Sequence, residues 1–226
     1  MENQVKPWEL WINRWDAALK ACRNLGGGSE GVLVKPPATL EQIEDAENKL
    51  GVKLPPSFRT AMLEFSAGVE FSWRLPDDED VSIPLPQDFR GIFGSDCSWN
   101  LFELVEIDDN RKSWVQNVFP DPTDPYDCVW HNKLAFKDIS NGDFLAFDLE
   151  NGPDYSVVYL SHDDGEGHGY RLGNNFIDFM NRWTRIGCPG SEDWQMIPFV
   201  TSSNSGIEPD GEKAKKWREW FGLLID

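Results

Sequence analysis

"KLAFKDISNGDFLAFDLENGPDYSVVYL", residues 133–160, decides how the rest of the chain is read. It divides into three apolar runs of strand length: "KLAFKDI" (133–139), "DFLAFDL" (143–149) and "SVVYL" (156–160). "SNGD" separates the first two and "ENGPD" the next two. Asn-Gly supplies the positive-φ positions of a tight hairpin, and Gly-Pro-Asp is turn chemistry of the same kind. Links this short can join only antiparallel neighbours, so the stretch predicts a meander of central strands.

Outward from the meander, the pattern changes to a helical period. Downstream, "NNFIDFMNRWTRIG" (174–187) places Phe176, Phe179, Met180 and Trp183 on one face. A last helix over 211–224 carries Ala214, Trp217, Phe221 and Leu224. Upstream, Trp8, Trp11, Ile12, Trp15, Ala18, Leu19 and Cys22 form one stripe of a helix over 7–25. "GGGSEG" (26–31) reads as the end of that helix and a flexible link. Thr39 and Gln42 make a capping box for a second helix that Gly51 stops. Its stripe is Leu40, Ile43 and Leu50, interrupted by Glu47 beside Ala46. Pro55 and Pro56 open a third helix, with Phe58, Met62 and Phe65 on one face and Gly68 as its stop. "VEFSW" (69–73) alternates as a strand does, "LPDDEDVSIPLPQDF" is an acidic proline loop, and "LFELVEIDDNRKSWVQNVF" reads as a short strand and then a helix. The summed pattern is α+β: an antiparallel β-sheet with helices packed on it.

Composition narrows the function. The chain has 226 residues, 13 % of them aromatic, with 11 Trp and 14 Phe, which is ample material for a core. Its 39 acidic against 21 basic side chains give a net charge of −18. Such a surface repels phosphate backbones and anionic membranes, so the expectation is no nucleic-acid and no membrane partner. A basic protein partner is attracted by the same field. Cys22, Cys97, Cys128 and Cys188 form no CxxC pair, which argues against a zinc knuckle and for four free thiols in a reducing compartment. "MENQVKPWELWINRW" lacks the basic-then-apolar pattern of a secretion signal, and no window reaches the ~20 apolar residues of a membrane span. The expected localisation is cytoplasmic.

Several segments in order resemble a known family. A helix is followed by "GVKLPPSFRTAMLEFSAG" (51–68), "IFG" (92–94), "LAFKDISNGDFLAFDLE" (134–150) and "VVYLSHDDGEGHGYRLGNNFIDFM" (157–180). The set resembles the SUKH domain of the Smi/Knr-type family, over roughly residues 37–187. Ala67-Gly68 stands where that family often has Asn-Gly, and "KDISNGD" replaces its usual Gly-rich hairpin lead-in. The resemblance implies a single α+β domain over 1–226: a SUKH-like core over 37–187, an N-terminal helical extension over 1–30 and a C-terminal extension over 190–226. It also implies no catalysis and no cofactor. Many bacterial members are immunity proteins that neutralise toxins, often nucleases; fungal members resemble regulators of cell-wall synthesis and signalling.

Candidate chemistry concentrates in "SHDDGEGHG" (161–169). His162 and His168, with Asp163, Asp164 and Glu166 between them, could ligate a metal if the loop converged. No HExxH is present, and short polar residues with glycine at a strand end more simply make a turn. The alternative to a binding protein is therefore a metal-dependent hydrolase using His162, Asp164 and His168, or else a fungal-type scaffold. "GSDCS" and "CPGS" hold thiols and hydroxyls without a GxSxG elbow. "NLGGGSEG" follows a helix and lacks the P-loop lysine. For a partner surface, the sequence offers the acidic run Asp77, Asp78, Glu79 and Asp80, the tryptophans Trp73 and Trp99, and the turn acids Asp163 and Asp164.

Overall fold

The computed structural model of the chain describes residues 5–77, 83–150 and 152–223. Seven α-helices and seven strands alternate among these residues in the order α1 (Pro7–Asn24), β1 (Gly28–Val34), α2 (Leu40–Leu50), α3 (Pro56–Glu64), β2 (Gly68–Arg74), β3 (Cys97–Asn100), α4 (Leu104–Asn117), β4 (Lys133–Asp138), β5 (Phe144–Asp148), β6 (Val157–Leu160), β7 (Arg171–Gly173), α5 (Phe176–Arg185), α6 (Asp193–Met196) and α7 (Glu212–Phe221). The strands form two antiparallel sheets, β1-β2-β3 and β4-β5-β6-β7. The α+β class and the central meander are as expected; the second sheet is an addition.

The meander is buried on both faces, which explains its nearly continuous apolar runs. Leu134, Phe147 and Val157 stand in register and join the main core. Ala135, Ala146 and Val158 face the other way, into a second cluster with Ile107, Phe119 and Trp130. α4 closes this side with polar chemistry. Buried Asp108 accepts the Ala135 N–H (3.0 Å) and an Arg111 Nε–H (2.7 Å), so the strand donor and both charges are satisfied.

The three-stranded sheet alternates. Val69, Phe71 and Trp73 point inward with Cys97 and Trp99, while Glu70 and Ser72 point out. Onto this inner face α1 lays Trp11 and Trp15, which meet Phe65, Phe71, Trp99 and Phe176 in one aromatic cluster. At the other end α7 brings Trp217 and Phe221 against Trp73. Both extensions thus share the core of the central region.

Several local expectations change. "GGGSEG" is not a link: residues 28–34 pair with β2, and a bulge between Ser29 and Gly31 absorbs the glycines. The third helix ends at Glu64, and Gly68 opens β2, because Ser66 Oγ bonds the Lys35 and Gly68 carbonyls and turns the chain. Ile12 falls off the α1 stripe and is exposed. The capping box of α2 is present as read, Gln42 N–H to Thr39 Oγ1 at 3.2 Å and Thr39 N–H to Gln42 Oε1 at 2.9 Å. Glu47 is buried in that helix, held by Lys53 (2.6 Å), Arg59 (3.4 Å) and the Leu54 N–H.

Candidate functional site

The loop between β6 and β7 is fixed by its own side chains. The Ser161 N–H donates to His168 Nδ1 at 3.0 Å, so the imidazole proton sits on Nε2, 3.1 Å from the Tyr126 carbonyl. The Tyr126 ring stacks on His168 at 3.9 Å, and its hydroxyl donates to the Ser161 carbonyl and accepts the Asp164 N–H. Burial lowers the pKa of His168 and raises that of Tyr126. Both nitrogens of His168 are engaged, so His162, Asp164 and His168 do not form the metal triad that the hydrolase alternative requires. Asp164 is an exposed turn residue with φ 64°.

A different trio meets instead. Single ligand atoms of Asp143, His162 and Asp163 lie within 4.8 Å of one another. Asp143 is fully buried and its carboxylate already takes four donors: His162 N–H (2.8 Å), His162 Nδ1–H (2.7 Å), Asn141 Nδ2–H (2.8 Å) and the Tyr159 hydroxyl. Asp163 accepts from Ser161 Oγ at 2.9 Å. Burial first, and then Asp143, pushes the Tyr159 phenol far above its ordinary range, so it acts as a permanent donor. The arrangement is that of a bonded turn whose buried carboxylate, Asp143, is already engaged by the protein.

The open face of β1-β2-β3 is a second feature. Register puts Leu33, Glu70 and Ser98 side by side on it. Together with β4 this face bounds a groove of about 550 Å³ that presents Glu30, Glu70, Asp96, Glu103 and Asp138, all exposed. One lysine reaches the groove: Lys137, buried at its base, donates to Asp96 Oδ2 (2.8 Å) and Ser98 Oγ (2.9 Å). Five carboxylates thus face one cation that is already spent. Phe93, 55 % exposed, stands over an adjoining hollow that shares Glu30 and Ser72 with the groove.

The sequence-based candidates fall unevenly around this groove. Trp73 and Trp99 are buried at 2 % each, Trp73 donating to the Gly187 carbonyl and Trp99 to that of Ser66. They belong to the core, because strand alternation turns positions 69, 71 and 73 inward. Asp77 is exposed; Asp78, Glu79 and Asp80 lie outside the described residues. Asp163 and Asp164 are exposed on the β6–β7 loop. Glu70 was readable as the outward residue of "VEFSW". Glu30, Asp96, Glu103 and Asp138 come from separate elements that only the topology assembles.

A two-sheet α+β domain with an acidic open sheet face defines a class of small acidic domains. The chain belongs to the SMI1/KNR4 family (SUKH-1), whose family model matches residues 37–182, well over half of its length. A comparison with curated proteins finds no match. No helix among the described residues is long and apolar enough to cross a membrane.

Proposed function

We propose that this chain is a non-enzymatic protein-binding domain, an immunity protein that neutralises a basic, nuclease-type toxin by holding it on the acidic groove. The observation that carries this reading is the groove itself, five exposed carboxylates against one internally paired lysine. A nuclease face is cationic because its substrate is a polyanion. Opposed fields of this kind accelerate encounter and fix register. The apolar side chains Phe93 and Leu33 beside the acids supply surface to bury once contact is made.

Against a metal-dependent hydrolase stands the engagement of both His168 nitrogens and of the Asp143 carboxylate. A fungal-type scaffold would be separated by gene neighbourhood, since an immunity gene adjoins its toxin. The test is to purify the nuclease domain encoded beside this chain and follow its cleavage of nucleic acid. Stoichiometric inhibition by the wild type, weakened by Glu30→Lys with Glu70→Lys, is expected. Full cleavage in the presence of excess wild-type chain would overturn the reading.

A further inference from the structure

Beside the groove lies a smaller hollow of about 110 Å³, between the segment leading into β3, the β4–β5 turn and the start of α6. Its polar lining is Ser95, Asp96, Ser140, Ser191, Glu192 and Gln195. Two of these side chains are anomalous. Ser95, 9 % exposed, has a buried Oγ with no hydrogen-bond partner, and Glu192 has a buried Oε2 with none. Buried polar atoms without partners are costly and uncommon, so two of them on side chains that line one hollow point to a ligand that draws both into hydrogen bonds.

The chemistry of the lining selects that ligand. No lysine, arginine or histidine lines the hollow, and two carboxylates do. Asp96 already holds Lys137, which leaves Glu192 as the unspent charge. Burial, followed by Asp193, Asp143 and Asp96, raises the pKa of Glu192, as expected of a carboxylate that lacks a counter-charge. A metal is a poor fit: among the described residues the one group of three converging metal-type ligands is Asp143, His162 and Asp163. The volume is that of roughly three to four waters at about 30 Å³ each, enough for a charged head and a methylene or two. Phe93 lines the hollow and is largely exposed, so its ring can lie over a cation that enters.

We propose that this hollow is a receptor for one cationic side-chain head, the ammonium of a lysine or the guanidinium of an arginine, presented by the partner. The proposal rests on the reading of the chain as a binder of a basic protein and adds the anchor point. Acceptors on several sides with one uncompensated carboxylate match a head that only donates. The groove then steers, and the hollow holds.

The test uses the whole chain and small probes, without any toxin. Amide resonances are followed by NMR during titration with n-butylammonium, with N-methylguanidinium, and with tetramethylammonium as a cation of the same charge that cannot donate. Saturable shifts at Ser95, Glu192 and Gln195 with one or both donor probes are expected, and the stronger arm identifies lysine or arginine. Glu192→Gln should weaken that binding by about tenfold, the loss of a charge-assisted hydrogen bond, and Ser95→Ala should weaken it by less. Linear, unsaturating shifts that match tetramethylammonium would overturn the proposal, as would unchanged affinity in Glu192→Gln. Should Glu192→Gln not fold, Ser95→Ala and the probe series decide. A chain that binds the probes yet inhibits no nuclease would sink the immunity reading and leave the receptor standing, and the converse result would do the opposite.

Discussion

His168 has one occupant on each ring nitrogen, and those occupants fix its protonation state. A second proton would go to Nδ1 and would point at the Ser161 N–H, setting donor against donor. Burial pushes the pKa the same way, below the ordinary value of 6.5. The unfolded chain therefore takes up a proton below about pH 6.5 that the folded chain refuses, so stability falls as pH drops through that window. Denaturant unfolding at about pH 7 and about pH 5.5 should show this loss in the wild type and a smaller one in His168→Gln. Equal losses in both would show that another group governs the slope. The thiols differ from one another at the same scale. Cys128 is exposed, while Cys22, Cys97 and Cys188 are buried. Burial pushes the Cys22 thiol up to about 11, and burial together with the neighbouring Cys188 thiol also raises that of Cys97. Because the thiolate is the reactive form, one fast thiol is expected in the native chain and four after denaturation. A denatured count of two would mean a disulfide.

Among elements, those with their own local signal were readable and those made by pairing were not. Thr39 and Gln42 announce α2 because capping is a matter of four residues. The Asn-Gly turn announces the β4–β5 hairpin, with Gly142 at φ 98°. β1 carries no such mark: Gly28, Ser29, Glu30 and Gly31 have poor strand propensity, and it is the β2 backbone alongside that makes them a strand. The same holds for β7, three residues that exist as a strand only against β6. This is also why the groove was mostly illegible, since Glu30 reaches it on β1 and Asp96 from the residue before β3. The capping box gives a direct test. Thr39→Ala removes one acceptor of the box and should cost about 1 kcal/mol in denaturant unfolding. The packing of α7 gives a larger one. Trp217 is buried against Trp73, Phe89 and Phe221, so Trp217→Ala should cost about 3–5 kcal/mol. A cost below about 1 kcal/mol would mean that α7 is an appendage rather than part of the core.

For the whole molecule the governing quantity is the net charge of −18 and where it is concentrated. Net charge alone keeps a protein dispersed; a groove of five carboxylates on one sheet face gives the field a direction. Salt acts differently on the two stages of binding. Long-range attraction is screened over about 8 Å at physiological ionic strength, so the encounter slows as salt rises. Contacts inside a formed interface are shorter than that distance and largely dry, so escape changes little. For a basic partner on this groove, stopped-flow association should slow by about 10- to 100-fold between low and high salt, with dissociation nearly constant. Reversing Glu70 and Glu103 to lysine should flatten that dependence, because both stand on the groove wall away from the Ser95–Glu192 hollow. The same variant should leave dissociation close to wild type if the hollow supplies the anchor. A wild-type association rate that ignores salt would remove steering from the account and leave apolar contact around Phe93 and Leu33 to explain binding. Faster dissociation in the groove variant, with association unchanged, would place the anchoring contacts in the groove itself.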